Sequence, residues 1–166
     1  MVSMKIPTKE ECIKLLRKNN VPDNIIAHTQ AVCDFSMKVC DVLEKRNIKV
    51  NRNLVAAGAL LHDIKKLELG EHEIEGAKYV ESLGYPEVGV LIKKHGLKNC
   101  HKKELKPITW EEKIIFYSDK RVKNDKIVSV DERFEYIKQR YKKEHVEKEI
   151  KLTKEIEKEL LVNAKL

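Results

Sequence analysis

Four histidines and two aspartates stand along this chain where groups that prefer water are not expected: His28, the adjacent pair His62-Asp63, His72, His95 and Asp119. Most fall on the apolar faces of segments with helical periodicity, and a buried imidazole or carboxylate is costly unless something pairs with it. One or two metal ions would pair with all of them at once. Imidazole nitrogens and carboxylate oxygens without a thiolate suit borderline divalent ions such as Mn, Fe, Co, Ni or Zn, and lean away from structural zinc. Neighbours on a helix point about 100° apart, so His62 and Asp63 converge on one ion only from a helix end. The second carboxylate oxygen of Asp63 then remains to bridge to another ion.

Taken singly, these residues have plainer readings. A lone histidine on an apolar face is more often a satisfied core residue than a ligand. The set changes the balance, because its members share one remedy for their burial. His72 stands in the polar run Glu71-His72-Glu73-Ile74-Glu75, where solvent exposure is the alternative. His101 follows Cys100 in a basic stretch and reads as surface loop before extra ligand or phosphate contact. His145, in Lys-Lys-Glu-His-Val-Glu-Lys, reads as solvated, and Tyr79 and Tyr117 read as packing. Lys120 and Arg121 follow Asp119, where they either bind a phosphate or are flanking charge in water.

Helices must position these side chains. Thr8-Lys9-Glu10-Glu11 has the capping-box pattern and predicts a helix over 9–18. From Pro22, apolar residues Ile25, Ile26, Val32, Cys33, Val39, Cys40 and Leu43 recur at helical spacing, predicting a long helix over about 22–45 with His28 on its buried stripe. Asn51 caps the next, about 52–65, whose centre is apolar on every side, as for a helix surrounded by others. Helices are predicted near 73–83, stopped by Gly84, and from Pro86 through 94, and the basic, poorly periodic stretch 96–107 reads as a loop bordering the site. Thr109-Trp110-Glu111-Glu112 repeats the capping box before Ile114, Ile115 and Asp119. After 123–128, Asp131 or Ser129 caps a long charged helix kinked near Glu144, which reads as a lid or dimer-packing helix.

No alternating run predicts a strand and no internal repeat is present. The expected fold is all-α: a single-domain bundle of six to eight helices over residues 1–166, with a core at about 22–123 and a C-terminal helical extension at 124–166. The 166 residues suit one core, and residues 1–8 carry no apolar run fit for a signal peptide. Without a membrane span, and with Cys12, Cys33, Cys40 and Cys100 unpaired in spacing, the expected location is the cytoplasm. Lys and Arg total 34 against 27 Asp and Glu, a net charge of +7 that favours a phosphate-bearing partner. Alternation of Lys and Glu along helices allows the blander reading of a salt-bridge-laced, solvated face.

Five segments in order resemble the HD-domain metal-dependent phosphohydrolase superfamily, in the manner of a stand-alone His-Asp-Ile-Gly-type member. They are His28 in its helix, Leu60-Leu61-His62-Asp63-Ile64-Lys65-Lys66, His72-Glu73-Ile74-Glu75-Gly76-Ala77, Ile92-Lys93-Lys94-His95 and Tyr117-Ser118-Asp119-Lys120-Arg121. Lys65 departs from the familiar signature, which has Gly there. The resemblance implies His28, His62, Asp63 and Asp119 as ligands of a first metal, with Asp63 bridging, and His72 and His95 as ligands of a second. It implies Asp63 and Lys66 as catalytic residues, Lys66 also neutralising a phosphate, with Lys120 and Arg121 as further candidates for substrate binding. The reaction implied is hydrolysis of a phosphomonoester or phosphodiester of a nucleotide-like small molecule by metal-activated water. The rival readings are a metal-containing sensor or binding module for a phosphorylated ligand or RNA end without turnover, and an RNA binder using the basic stretch 93–106 and the C-terminal helix, with hydrolysis of a terminal or cyclic phosphate. A homodimer is compatible with the C-terminal helix.

Overall fold

Three helices begin on capping boxes, in which a hydroxyl and a glutamate satisfy backbone N–H groups that a helix start leaves unpaired. In the computed structural model, which describes residues 3–166, these are α1 (Lys9–Lys18), capped by Thr8 and Glu11, α6 (Trp110–Asp119), capped by Thr109 and Glu112, and α7 (Val130–Tyr141), capped by Ser129 and Glu132. Ser129, not Asp131, is therefore the cap. The remaining helices are α2 (Asp23–Lys45), α3 (Arg52–Leu61), α4 (His72–Ser82), α5 (Pro86–Lys93) and α8 (Glu147–Leu161). The fold is all-α.

Helix α3 is the centre: every residue from Leu54 to Leu61 is buried, with α1, α2, α5 and α6 packed around it. Asn51 caps it through Leu54 N at 3.0 Å. It ends at Leu61, earlier than periodicity predicts. The hydrogen bonds Ile64 N to Leu61 O, Lys66 N to Asp63 O and Glu68 N to Lys65 O join residues three apart, tightening the chain into a turn that no apolar spacing announces. Helices α4 and α5 form a hairpin turned at Gly84, whose φ of +91° is the left-handed region glycine enters without strain.

After β2 the chain forms two helices, not one kinked helix. The charged run Lys142-Lys143-Glu144-His145 offers no apolar anchor, and Lys142 turns out of α7 at a left-handed φ of 51°. The apolar face of α8, Leu152, Thr153, Ile156, Leu160 and Leu161, is buried, with α2, α6 and α7 as neighbours in the same chain. The apolar face that suggested a lid is therefore already covered within the chain. A minimal antiparallel pair, β1 (Val122–Lys123) and β2 (Lys126–Ile127), was not expected from the sequence; it turns at Asn124, with φ +55°.

All four cysteines are free and buried, and burial raises each thiol, Cys12 and Cys40 to about 12, which favours the protonated form that packs in the core. Among the described residues no helix is long and apolar enough to cross a membrane.

Candidate metal centre

Helix ends meet at one point. His62 is the C-cap of α3, His95 follows the C-cap of α5, Asp119 is the last residue of α6, His72 is the first of α4, and His28 lies in the second turn of α2. The C-terminal ends of α3, α5 and α6 carry partial negative charge, each favouring a nearby cation by about 0.3–1 kcal/mol. Three overlapping donor groups result, His28/His62/Asp63, His62/His95/Asp119 and Asp63/His72/His95, with the ligand atoms of each within 4.8 Å of one another.

The carboxylate of Asp63 lies between two sets of imidazoles. Its Oδ2 is 3.4 Å from His62 Nε2 and 3.8 Å from His28 Nε2, while its Oδ1 is 3.2 Å from His72 Nε2 and 3.6 Å from His95 Nε2. Asp119 Oδ1 joins the first set, 3.0 Å from His28 Nε2 and 3.4 Å from His62 Nε2. Donors about 2.1 Å from one divalent ion stand about 3.0 Å apart at right angles and about 3.4 Å apart at the tetrahedral angle. The observed separations bracket those values.

Each imidazole is aimed by its other nitrogen. Nδ1 of His28 lies 2.6 Å from Asn124 O, that of His62 2.6 Å from Ala59 O and that of His95 2.5 Å from Ile92 O. A carbonyl only accepts, so Nδ1 carries the proton and Nε2 presents a lone pair inward, the arrangement typical of metal-holding histidines. His72 Nδ1 lies 3.4 Å from Glu73 Oε2. Fully buried His62 Nε2 has no hydrogen-bond partner among the described residues. An orphaned buried donor atom amid two carboxylates is what a bound cation satisfies.

The charges respond accordingly. Burial works against ionised Asp63 and Asp119, yet His62 beside Asp63 and Lys120 beside Asp119 outweigh it and hold both carboxyls well below the usual range. Burial likewise disfavours charge on His62, but Asp63 and Asp119 overcome it and push its pKa up to about 10. Burial, only partly offset by Asp63, pulls His95 down to about 4. The buried pair of carboxylates thus demands positive charge, which a proton on His62 supplies when no metal does.

The flanking basic residues differ from one another. Lys66 Nζ stands 3.4 Å from Asp63 Oδ2 with its side chain partly exposed, at the mouth of the site. Lys120 does not reach outward to a substrate. Its buried ammonium donates to Asp119 Oδ2 at 2.8 Å, His95 O at 2.9 Å and Phe116 O at 3.5 Å, filling its three N–H positions. Arg121 is turned away, donating to Tyr117 Oη at 2.5 Å, Val128 O at 2.6 Å and Leu166 O at 2.5 Å, with its guanidinium over the Phe35 ring. Both corrections have one cause: the chain leaves α6 as a tight turn, which folds these side chains back onto the core instead of into solvent. Lys65, where glycine is familiar, points to Asn19 and the face of Tyr79 and leaves the site clear. His101 and His145 are exposed and belong to none of the donor groups.

Three contributors escaped the sequence reading. The Asn124 carbonyl that aims His28 comes from the unanticipated hairpin, and buried Glu73 packs beside Gly96, where an added Cβ would lie 2.9 Å from its Oε1. Buried Arg133 of α7 donates through Nε to Asp119 O at 3.2 Å. Only Glu73 carried a signal, its place beside His72.

The HD domain family matches residues 25–123, and the chain belongs to that family, whose members bind divalent metals. A tRNA (cytidine(56)-2'-O)-methyltransferase of Picrophilus torridus is 30% identical over 138 residues, covering 75% of this chain but 39% of that protein. The chain therefore spans less than half the length of that relative. An uncharacterised protein of Methanocaldococcus jannaschii is 28% identical over 149 residues, covering 82% of this chain and 88% of that protein. A dihydroneopterin 2',3'-cyclic phosphate phosphodiesterase of the same organism is 49% identical over 43 residues, 25% of this chain and 17% of that protein. No solved structure gave a significant match.

Proposed function

We propose that the chain is a metal-dependent phosphohydrolase that cleaves a phosphomonoester or phosphodiester of a nucleotide-like small molecule. The observation that carries this reading is the division of the Asp63 carboxylate between two sets of inward Nε2 atoms, beside the orphaned His62 Nε2. His28, His62, Asp63 and Asp119 would hold a first ion, and His72 and His95, with Asp63 shared, a second; Mn, Fe, Co, Ni and Zn all suit these donors. Such ions, when bound, lower the pKa of a coordinated water toward about 7 and polarise the phosphoryl group. Asp63, held ionised, orients the attacking water and accepts its hydrogen bond. Lys66, whose charge Asp63 and Asp119 sustain against burial, stabilises the charge gathering on the phosphoryl oxygens. A bond forms from the water oxygen to phosphorus, the ester P–O bond breaks, and the leaving oxygen takes up a proton.

The phosphodiesterase relative supports a cyclic phosphate of a nucleotide-like compound as one substrate to test first. We take residues 1–166 as one HD domain with a helical extension, and the four free thiols fit a reducing compartment such as the cytoplasm. The decisive experiment joins elemental analysis of the purified protein to a hydrolysis screen of nucleoside monophosphates and 2',3'- and 3',5'-cyclic nucleotides with added Mn, Co, Ni or Mg. Turnover is expected in the wild type and background rates in Asp63→Ala with an unchanged helical spectrum. Retained hydrolysis in metal-clean Asp63→Ala overturns the mechanism.

The methyltransferase relative favours a second reading, a metal-containing module that holds a phosphorylated RNA end without turnover. Lys98, paired with Glu71 beside His72, brings the basic stretch 93–106 to the rim of the site. Binding of RNA that weakens steeply with salt, with no hydrolysis of any probe, supports that reading over the first.

A further inference from the structure

Arg133 is a buried cation beside the donor groups whose donors, unlike those of Lys120, are not all taken up by the protein among the described residues. It lies in α7, outside the residues 25–123 matched by the family, and is 8% exposed. Nε donates to Asp119 O at 3.2 Å, but Nη2 stands 3.9 Å from Asp119 Oδ1, too far for a hydrogen bond. Neither Nη nitrogen is hydrogen-bonded among the described residues, and the far side of the group faces the Tyr136 ring, 5.5 Å from its centroid. A guanidinium does not shed its charge. Asp119 cannot balance it alone, since Oδ2 is already held by Lys120 and Oδ1 faces His28 Nε2 at 3.0 Å and His62 Nε2 at 3.4 Å. Both unbonded Nη nitrogens keep contact with solvent, so the guanidinium is held in place through Nε while its fork stays open to an anion.

Lys66 stands at the other carboxylate, its Nζ 3.4 Å from Asp63 Oδ2. His62 Nε2 is 3.4 Å from both Asp63 Oδ2 and Asp119 Oδ1, so Lys66 and Arg133 each attend one of the two carboxylates that flank the same imidazole. We propose that Arg133 and Lys66 form a two-cation clamp for a terminal phosphoryl group, Arg133 through the paired Nη donors and Lys66 as a point charge. This rests on the phosphohydrolase reading and narrows its substrate. A planar fork takes two phosphoryl oxygens at once, which leaves Lys66 a third, and a phosphomonoester or free phosphate offers at least three unsubstituted oxygens. A diester offers two. The clamp therefore selects a monoester, as substrate or as the held product of cyclic phosphate opening.

The test is calorimetric titration of the Mn-loaded protein with inorganic phosphate and with dimethyl phosphate, alongside Arg133→Met, Arg133→Lys and Lys66→Met. Metal content and melting temperature are measured for each. Wild type is expected to bind phosphate at least about 10-fold more tightly than dimethyl phosphate, and Arg133→Met to lose about 10- to 100-fold for phosphate alone at full metal content. Arg133→Lys keeps the charge without the fork and recovers only part of that loss. If Arg133→Met fails to fold, Arg133→Lys decides: a loss of about 5-fold or more in phosphate affinity supports the clamp, and wild-type affinity overturns it. A purely structural role for Arg133 lowers the melting temperature but leaves the preference for phosphate over dimethyl phosphate intact, which also overturns the clamp. Phosphate binding that depends on Arg133 in a protein without turnover would sink the hydrolase reading and leave the clamp standing. Turnover lost in Asp63→Ala but unaltered phosphate affinity in both Arg133 variants would do the reverse.

Discussion

Lys120 holds one oxygen of Asp119 and the carbonyl of His95, so a single ammonium fixes a carboxylate of the first donor set and the backbone of the second. Replacing it with Met keeps the aliphatic stem but frees Asp119 and leaves two acceptors unpaired. Partners that orient metal-holding groups typically matter by about 10- to 100-fold in affinity. Lys120→Met is expected to weaken Mn or Co binding by that factor in a metal-buffered titration; wild-type affinity would show that Lys120 only packs. His62 gives a pH dependence of defined sign. In metal-free protein its pKa is raised by the neighbouring carboxylates, so the stability it contributes is fully present below its ordinary 6.5 and is lost as pH climbs toward about 10. His95, depressed to about 4 by burial, acts on the other side, its contribution falling away as pH drops from 6.5 through 4. Metal-free protein should therefore melt highest near neutrality. Metal needs deprotonated donors and binds better as pH rises, so the melting curves of metal-free and metal-loaded protein should diverge between pH 6.5 and about 9. A metal-free melting temperature that climbs steadily across that interval contradicts this account of His62.

At the scale of elements, precision at the site depends on how closely α5 approaches α3. A Cβ on Gly58 would meet Leu91 Cδ1 at 2.7 Å and Leu91 Cβ at 3.2 Å, and Leu91 is four residues before His95. Helix propensity alone would favour Gly58→Ala by about 0.5–1 kcal/mol. Overpacking a close-fitted core costs about 1–3 kcal/mol, so the expected result is a net loss, read by urea unfolding, with weaker binding of metal at the His72 and His95 donors. A stabilised variant would mean that Leu91 relaxes freely. Elements built from local rules were readable in advance: the Thr8 and Thr109 capping boxes, Asn51, Pro86 and Gly84 each act on their own few residues. Elements that depend on distant neighbours were not. The turn after Leu61, the break at Lys142 and the hairpin at Asn124 are set by what the chain packs against. Arg133 sits in Val-Asp-Glu-Arg-Phe-Glu, which reads as solvated charge until α7 is docked, and Lys120 and Arg121 read as outward until the end of α6 is seen to turn. Burial of a charge is a tertiary property, and only where apolar spacing framed the residue, as at His28 and Asp119, did the sequence announce it.

For the whole molecule, the donors come from five helices or their ends, while the apolar core behind them, including Leu61, Ile92, Ile114 and Phe116, closes without them. The fold should then survive removal of the metal, unlike a small domain that metal alone holds together. It should also be measurably weaker. A ligand that binds only the folded state at about 100 times its Kd adds about 2.7 kcal/mol, and for a domain of this size each kcal/mol moves the melting temperature by about 2–4 °C. Chelation followed by dialysis is expected to lower the melting temperature by about 5–11 °C, with the far-ultraviolet spectrum retained and the loss reversed by added Mn or Co. His62→Ala removes the orphaned donor as well as a proton acceptor, so it should abolish that metal-dependent increment while leaving the metal-free melting curve nearly insensitive to pH between 6.5 and about 9. An unaltered melting temperature after complete metal removal, checked by elemental analysis, would mean that these buried histidines and aspartates are balanced among themselves and that no ion is needed to explain their burial.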